Sequence, residues 1–350
     1  VRGSLERVRR AWYAPAVDRG GPKRVLVAGS TGYIGRAVVR ELVERGHAVT
    51  ALSRERAGIG GSWSPDDTRR QLTGAEVRFG DLGDPRFATD AVAKARPDVV
   101  VSCLASRTGS GADAWRVDHG INRMLLQAAT EHDSGQFILL SAICVQKPRL
   151  EFQRAKLAFE SELRSAPLKH SIVRPTAFFK SLAGQIARIR DGRPYLMLGD
   201  GRLTACKAIG ERDLARFMAD CIHDTAKHDA TLPIGGPGPA ITPKDQAEIL
   251  FQLLNREPRY RRLPVWAFRS IVGALGLAGR VSASAAAKAE LARIGLYYAT
   301  ESMLVWDDAA GRYDAEKTPS FGDDTLESFF RDAVTRDDPA AELGDHSVFS

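Results

Sequence analysis

The 350-residue chain has only four cysteines, Cys103, Cys144, Cys206 and Cys221, widely separated and without a CxxC pair. That spacing excludes a disulfide framework and the usual zinc patterns, and makes a reducing compartment the default. No uninterrupted apolar run approaches the roughly 18 residues that suggest a membrane-spanning helix. The nearest, Leu263 to Gly279, is interrupted by Arg269. Internal repeats and low-complexity tracts are absent, and so is any apolar stretch near the N-terminus that would suit a secretory signal. What is present is ordinary for a globular fold, with 44% hydrophobic and 27% charged residues. A net charge of +7 leans the surface basic. Such a surface admits nucleic acid, anionic lipid or acidic small molecules, and equally reflects a basic proteome or the arginine-rich start of the chain. Nucleic acid is not expected as a partner, and no residue set suggests a metal site. Arg2, Arg7, Arg9, Arg10 and Arg19 crowd residues 1–22, which read as a disordered or targeting-like lead-in.

From Arg24 onward short apolar strands alternate with helical patterns. Strands are expected at Arg24–Ala28, Ala48–Leu52, Val77–Phe79, Val99–Cys103, Gln136–Ser141 and His170–Val173. Helices are expected at Ile34–Arg45, Asn122–Glu131 and Leu150–Arg164. This rhythm predicts an α/β fold, a Rossmann-type doubly wound parallel sheet over residues 23–180. After Pro175 the rhythm loosens into helical patterns at Ser181–Arg190, Glu211–His223, Pro243–Leu254 and Val265–Leu277, with joints such as Gly235-Gly236-Pro237-Gly238. Residues 181–330 are therefore read as a smaller, mostly helical substrate-binding portion, and 331–350 as a flexible tail. Ligands of open α/β sheets bind beyond the carboxyl ends of the strands, where such a portion would close over them.

The first strand runs into Gly29-Ser30-Thr31-Gly32-Tyr33-Ile34-Gly35, a GxxGxxG turn that opens a helix. Glycine allows the tight turn and close approach of a pyrophosphate, and the helix N-terminus offers N–H groups and partial positive charge. At the end of the second strand an acid would hold ribose hydroxyls and repel a 2′-phosphate. Ser53 and Arg54 stand there instead, with Arg56 behind, which favours NADPH over NADH. Asp81, followed by Leu82, ends the third strand as a candidate acceptor for the adenine amine or a simple turn residue. Cys103-Leu104-Ala105-Ser106 follows the fourth, where the small Leu104-Ala105 region lets a dinucleotide pass. Cys103 reads as a core thiol.

Phe152-Gln153-Arg154-Ala155-Lys156 resembles the YxxxK element of short-chain dehydrogenases, with phenylalanine where the phenol acid stands. Residues four apart share a helix face. The resemblance implies that Lys156 holds the nicotinamide ribose and acts at the catalytic centre, while alcohol–ketone chemistry is disfavoured because a phenyl ring carries no proton. It also implies that Ser141 lines the nicotinamide pocket and that Arg174-Pro175-Thr176 closes over the carboxamide. The atypical branch that includes isoflavone reductases similarly keeps the lysine without the tyrosine.

Longer stretches resemble one family, the divinyl chlorophyllide a 8-vinyl-reductases. They are Val101–Gly109, LLSAICVQKP (139–148), LEFQRAKLAFE (150–160), SIVRPTAFFKSL (171–182), LPIGGPG (232–238), YYATESMLV (297–305) and YDAEKTPSFG (313–322). The resemblance covers roughly Lys23 to Phe330, and Phe152 is the family's own residue. It implies NADPH-dependent reduction of the 8-vinyl group of 3,8-divinyl chlorophyllide a, or of the protochlorophyllide, to ethyl. Cys144, Phe152, Phe178, Phe179 and Lys180 are then candidate substrate contacts, with Met197 and Leu198 as further walls. Lys147, Arg149 or Lys180 would pair with a propionate. Water, Cys144, Lys180 or Tyr195 would supply the proton. The implied location is the cytoplasm or the periphery of a photosynthetic membrane (a plastid in a eukaryote), not a secreted one. Pro264–Leu277 is an amphipathic candidate for membrane contact or for burial in the lobe. Alternatives are an isoflavone-type reductase of phenolic substrates, a non-catalytic NADPH sensor, and a structural NADPH-binding subunit. Oligomeric state stays open.

Overall fold

The computed structural model describes residues 20–107 and 110–335. Most of the lead-in at 1–22, the tail from 336, and Thr108 and Gly109 lie outside the described residues. Seven parallel strands form the central sheet: β1 (Arg24–Ala28), β2 (Ala48–Ser53), β3 (Glu76–Phe79), β4 (Val99–Ser102), β5 (Gln136–Leu140), β6 (Lys169–Pro175) and β8 (Ala230–Ile234). Their order is β3-β2-β1-β4-β5-β6-β8. The order reverses between β1 and β4, which opens a crevice at their carboxyl ends. β7 (Tyr195–Leu198) leaves the sheet and pairs in parallel with β9 (Tyr260–Leu263).

Side chains that alternate along each strand feed two apolar layers. Val25 and Val27 of β1 face α1 (Tyr33–Glu44) and α6 (Glu211–Asp220). Leu26 and Ala28 face α3 (Pro85–Ala95), α4 (Asn122–Glu131) and α5 (Glu151–Ser165). Helix α1 turns Ile34, Val38, Val39 and Leu42 onto the sheet, the spacing of one helix face. Each contributes roughly 1.5–3 kcal/mol of burial. The short α2 (Pro65–Gln71) is set by a Ser64–Asp67 capping box.

The sheet also draws on residues past 180. Helix α6 packs beside α1, and β8 closes the β6 edge. β8 alternates only over Leu232 and Ile234, and Pro233 inside ATLPI obscures it in the sequence; the strand ends the sheet, where proline is tolerated. The expected helix over 181–190 is instead three short turns. A third apolar cluster joins the strand ends to α7 (Pro243–Leu253) and α10 (Leu326–Thr335). Outside it projects α8 (Val265–Ala278), packed on α9 (Ala283–Thr300), whose far end joins the cluster through Ile294 and Tyr297; the hairpin β10 (Val305–Asp307) and β11 (Arg312–Asp314) follows.

Candidate active site

The glycine turn sits at the reversal point of the sheet. Gly29 has φ +74°, and a Cβ there would lie 2.6 Å from the Cys103 carbonyl carbon. A Cβ at Gly35 would lie 2.0 Å from the Gly29 oxygen. Both positions therefore exclude any side chain. Ser30 is buried and donates to the Leu52 carbonyl at 2.7 Å, tying the turn to β2. Thr31, Gly32 and Tyr33 stand on the rim, while Ile34 packs in the core. Helix α1 starts on Gly32 with no side-chain cap and no acid in its first turn. Its leading N–H groups thus suit an anion.

Arg54 and Arg56 are exposed just beyond β2, and Arg54 makes no ion pair among the described residues. Ser53 donates to the Arg54 carbonyl at 2.9 Å. A residue that sequence reasoning missed joins them: Arg36 lies over the Trp63 ring at 5.1 Å, and its buried Nε has no hydrogen-bond partner among the described residues. An orphaned donor beside an uncapped helix start fits a phosphorylated dinucleotide. Asp81 accepts from Gly83 N–H at 2.9 Å, which is turn geometry, and its side chain stays exposed. Leu82 packs against the α3–α4 layer. Leu104 and Ala105 follow β4, where the Leu104 backbone passes close to Gly29.

Lys156 points from α5 to Asp118, with Nζ 2.8 Å from Oδ1 and side-chain exposures of 11% and 1%. Asp118 was not singled out in the sequence. It lies in a π-helical segment, Trp115–Ile121, that leads into α4. The wider turn there is of the kind that recurs at functional sites. Asn122, four residues on, donates to the Asp118 carbonyl at 3.0 Å and accepts from Ser102 at 2.5 Å.

Ser141 is buried, and its hydroxyl is engaged inside the protein. Its hydroxyl donates to the fully buried Glu160 at 2.6 Å, a carboxylate also held by Arg174 and by Arg164 at 2.7 Å. Burial alone would raise the Glu160 pKa, but these guanidiniums and the hydroxyl hold it below the ordinary carboxylate value. Arg174 and Ser141 thus brace β5 and β6 against α5. Pro175 ends β6, and Thr176 donates to the Lys207 carbonyl while its N–H donates to Ile234 at 2.9 Å.

The substrate candidates separate. Phe152 is half-buried against the C-terminal cluster, whereas Phe179 is 2% exposed, packs on Phe329 at 5.6 Å and is core. Met197 is core as well. Phe178 is half-buried and edge-on to Tyr33 at 6.3 Å, and Lys180 lies 5.1 Å over the Tyr33 ring. Tyr33 in turn donates to Glu211. These three make one aromatic, cationic rim where the glycine turn meets the C-terminal portion. Lys147 and Arg149 are both taken by the buried Glu301, at 3.5 and 2.8 Å, and Lys147 also sits 3.7 Å over Trp306.

Cys144 is buried, and burial pushes its thiol above the ordinary value even though the nearby Lys156 ammonium lowers it. Its Sγ lies 3.8 Å from the hydroxyl of Tyr298, which α9 brings in. The Tyr298 ring is 43% exposed while burial around its hydroxyl pushes the pKa well up. The neighbouring Tyr297 donates to the carbonyls of Cys144 at 2.8 Å and Lys147 at 3.1 Å. Tyr195 is buried in β7. Cys103 is half-buried against the β1 side of the core, and burial pushes its thiol up to about 12. Among the described residues no cluster of three or more His, Cys, Asp or Glu could hold a metal ion.

A model of the NAD(P)H-binding family matches residues 29–225. The chain is similar to the chloroplastic divinyl chlorophyllide a 8-vinyl-reductase of Zea mays, 50% identical over 331 residues, which covers 93% of this chain and 82% of the relative. The protein of the same name from Arabidopsis thaliana is 47% identical over 342 residues, with 95% and 82% covered. In three dimensions the chain resembles the pinoresinol-lariciresinol and phenylcoumaran benzylic ether reductases, with TM-score 0.65 and 19% identity over 89% of this chain and 99% of the other. That likeness bears on the fold.

Proposed function

This chain belongs to the divinyl chlorophyllide a 8-vinyl-reductase family, and from that premise we propose that it uses NADPH to reduce the 8-vinyl group of 3,8-divinyl chlorophyllide a, or of the corresponding protochlorophyllide, to ethyl. It is an oxidoreductase with a nicotinamide-binding domain. The observation that carries the substrate reading is Phe152, set one helical turn before Lys156 and packed on an apolar cluster. A crevice that keeps the lysine and replaces the phenol has no acid for a carbonyl oxygen. It suits a carbon–carbon double bond whose incoming charge spreads into a conjugated macrocycle.

A bound reduced nicotinamide would supply a hydride to the vinyl terminus, and a proton on the adjacent carbon completes the ethyl group. Lys156, oriented by Asp118, would hold the ribose. Arg54 and Arg36 would take the 2′-phosphate, since Ser53 and Arg54 stand where an acid would select NADH. The flat pigment needs an apolar cleft with few polar anchors. Phe152 and Phe178 offer such walls, and Lys180, over the Tyr33 ring at the same rim as Phe178, would pair with the propionate. For the proton, Tyr298 is preferred over Tyr195, which is buried in β7. Tyr298 reaches both the outside and Cys144, and burial keeps both groups protonated at neutral pH.

The test is anaerobic incubation with 3,8-divinyl chlorophyllide a and NADPH. A blue shift of the Soret band that requires NADPH is expected, with deuterium from labelled cofactor found only in the new ethyl group. Tight NADPH binding without any spectral shift would sink the proposal.

A further inference from the structure

Helix α8 contradicts the usual rule that a helix apolar on every side is buried. Its sequence, VWAFRSIVGALGLA, has only Arg269 and Ser270 as polar side chains, yet Val272 is its single buried residue. Trp266 is 72% exposed, Leu277 63%, and Val281 just after the helix 91%. The packing that α8 does receive comes from α9, whose own side chains are mostly half-buried or exposed. Large apolar side chains gathered on one projecting element mark a surface that something covers.

Charge identifies what covers it. Residues 256–300 hold eight arginines and lysines against two glutamates, so nearly all of the chain's net +7 sits in this segment. Arg261, Arg262, Arg269 and Arg280 are all exposed around the apolar face. A second copy of this chain would bring a like-charged rim against it and be repelled. The α8 helix has 14 residues, and no helix among the described residues is long and apolar enough to cross a membrane. A helix too short to span, apolar all round and flanked by arginines, is suited to sink into the acyl–headgroup boundary of an anionic bilayer while the arginines reach the phosphates.

We propose that the α8–α9 hairpin docks this protein on an anionic lipid surface, with Trp266, Ile271, Leu277 and Val281 inserted among the acyl chains and the arginines at the headgroups. The far end of α9 carries Tyr297 and Tyr298 to Cys144, so the docked element leads from the bilayer to the candidate site. That last link rests on the pigment reading above; the docking itself does not.

The experiment is co-sedimentation of the full chain, without cofactor or pigment, with phosphatidylcholine vesicles and with vesicles carrying about 30% phosphatidylglycerol. Binding to the anionic vesicles at least tenfold tighter than to the neutral ones is expected, weakening as salt rises. Trp266→Ser with Leu277→Ser should lower it tenfold or more, with the circular dichroism and NADPH affinity unchanged. Arg269→Glu with Arg280→Glu, which leaves the apolar face intact, should remove the anionic preference. Equal sedimentation with both vesicles, no sedimentation with either, or anionic binding that survives the serine pair would each overturn the proposal. So would a dimer seen by light scattering that the serine pair breaks, because a second copy would then cover the face. Vinyl reduction is not measured, so failure of the substrate reading leaves this result intact.

Discussion

Replacing Lys156 by alanine separates cofactor binding from scaffolding, because its partner is almost wholly buried. Without the ammonium, the Asp118 carboxylate keeps, among the described residues, the Ser106 N–H at 3.3 Å as a donor to its oxygens. Breaking a buried ion pair from one side costs about 3–5 kcal/mol. The lower end, about 3 kcal/mol, is expected here, since Lys156 keeps a small window to solvent. The variant Lys156→Ala/Asp118→Ala removes both charges and should recover about 2 kcal/mol relative to the sum of the single changes. Catalysis should not recover with it. A charge-assisted hydrogen bond to the cofactor contributes roughly 1.5–3 kcal/mol, or about ten- to hundredfold in kcat/KM, and the double variant still lacks it. Urea unfolding followed by tryptophan fluorescence reads the first quantity, and the pigment assay reads the second. If the double variant regained activity together with stability, Lys156 would be a structural residue and the assigned role would be wrong. Strict additivity of the two stabilities would instead refute the buried pair.

Other consequences are equally direct. Arg54→Ala should raise the KM for NADPH roughly tenfold and leave that for NADH unchanged, because only the 2′-phosphate offers the charge-assisted bond lost; equal effects on both cofactors in steady-state kinetics would remove Arg54 from that role. Gly35→Ala forces a methyl group into the Gly29 carbonyl, all of it backbone, so a loss of about 3 kcal/mol and of measurable cofactor binding is expected by thermal melts and fluorescence titration. Glu160 has its folded-state pKa depressed below 4.5, so its contribution is fully present above about pH 4.5 and disappears as pH falls through the lower folded value. The unfolding free energy of Glu160→Gln should accordingly be lower at neutral pH and flatter below pH 4.5; an unchanged acid limb would show that the carboxylate carries no such linkage. Tyr298→Phe should lower kcat with little change in the KM for pigment, while parity with the parent would return the proton to solvent.

How much was legible in the chain follows from how local each signal is. The strand–turn–helix around Gly29 to Gly35 reads directly, since glycine spacing, an apolar strand and one helix face lie within some twenty residues. Lys156 was legible through its spacing from Phe152. Asp118 was not, because its partner is 38 positions away and only the approach of the π-helical segment to α5 brings them together. Tyr298 was hidden in a helix whose alanine-rich pattern shows no strong face. Ser141 and Phe179 were placed at the right strand and loop ends, yet side-chain direction sent one toward Glu160 and the other into the core.

The sequence by itself determined the parallel sheet, the dinucleotide turn, the missing phenol and the family resemblance, because each is written in neighbouring residues whose backbone preferences and periodicity act locally. Only the tertiary structure decided which cations are already paired, which aromatic residues line the rim, and that α8 remains uncovered. Those properties depend on contacts between segments far apart in the chain, and burial and pairing become defined only when the chain closes on itself.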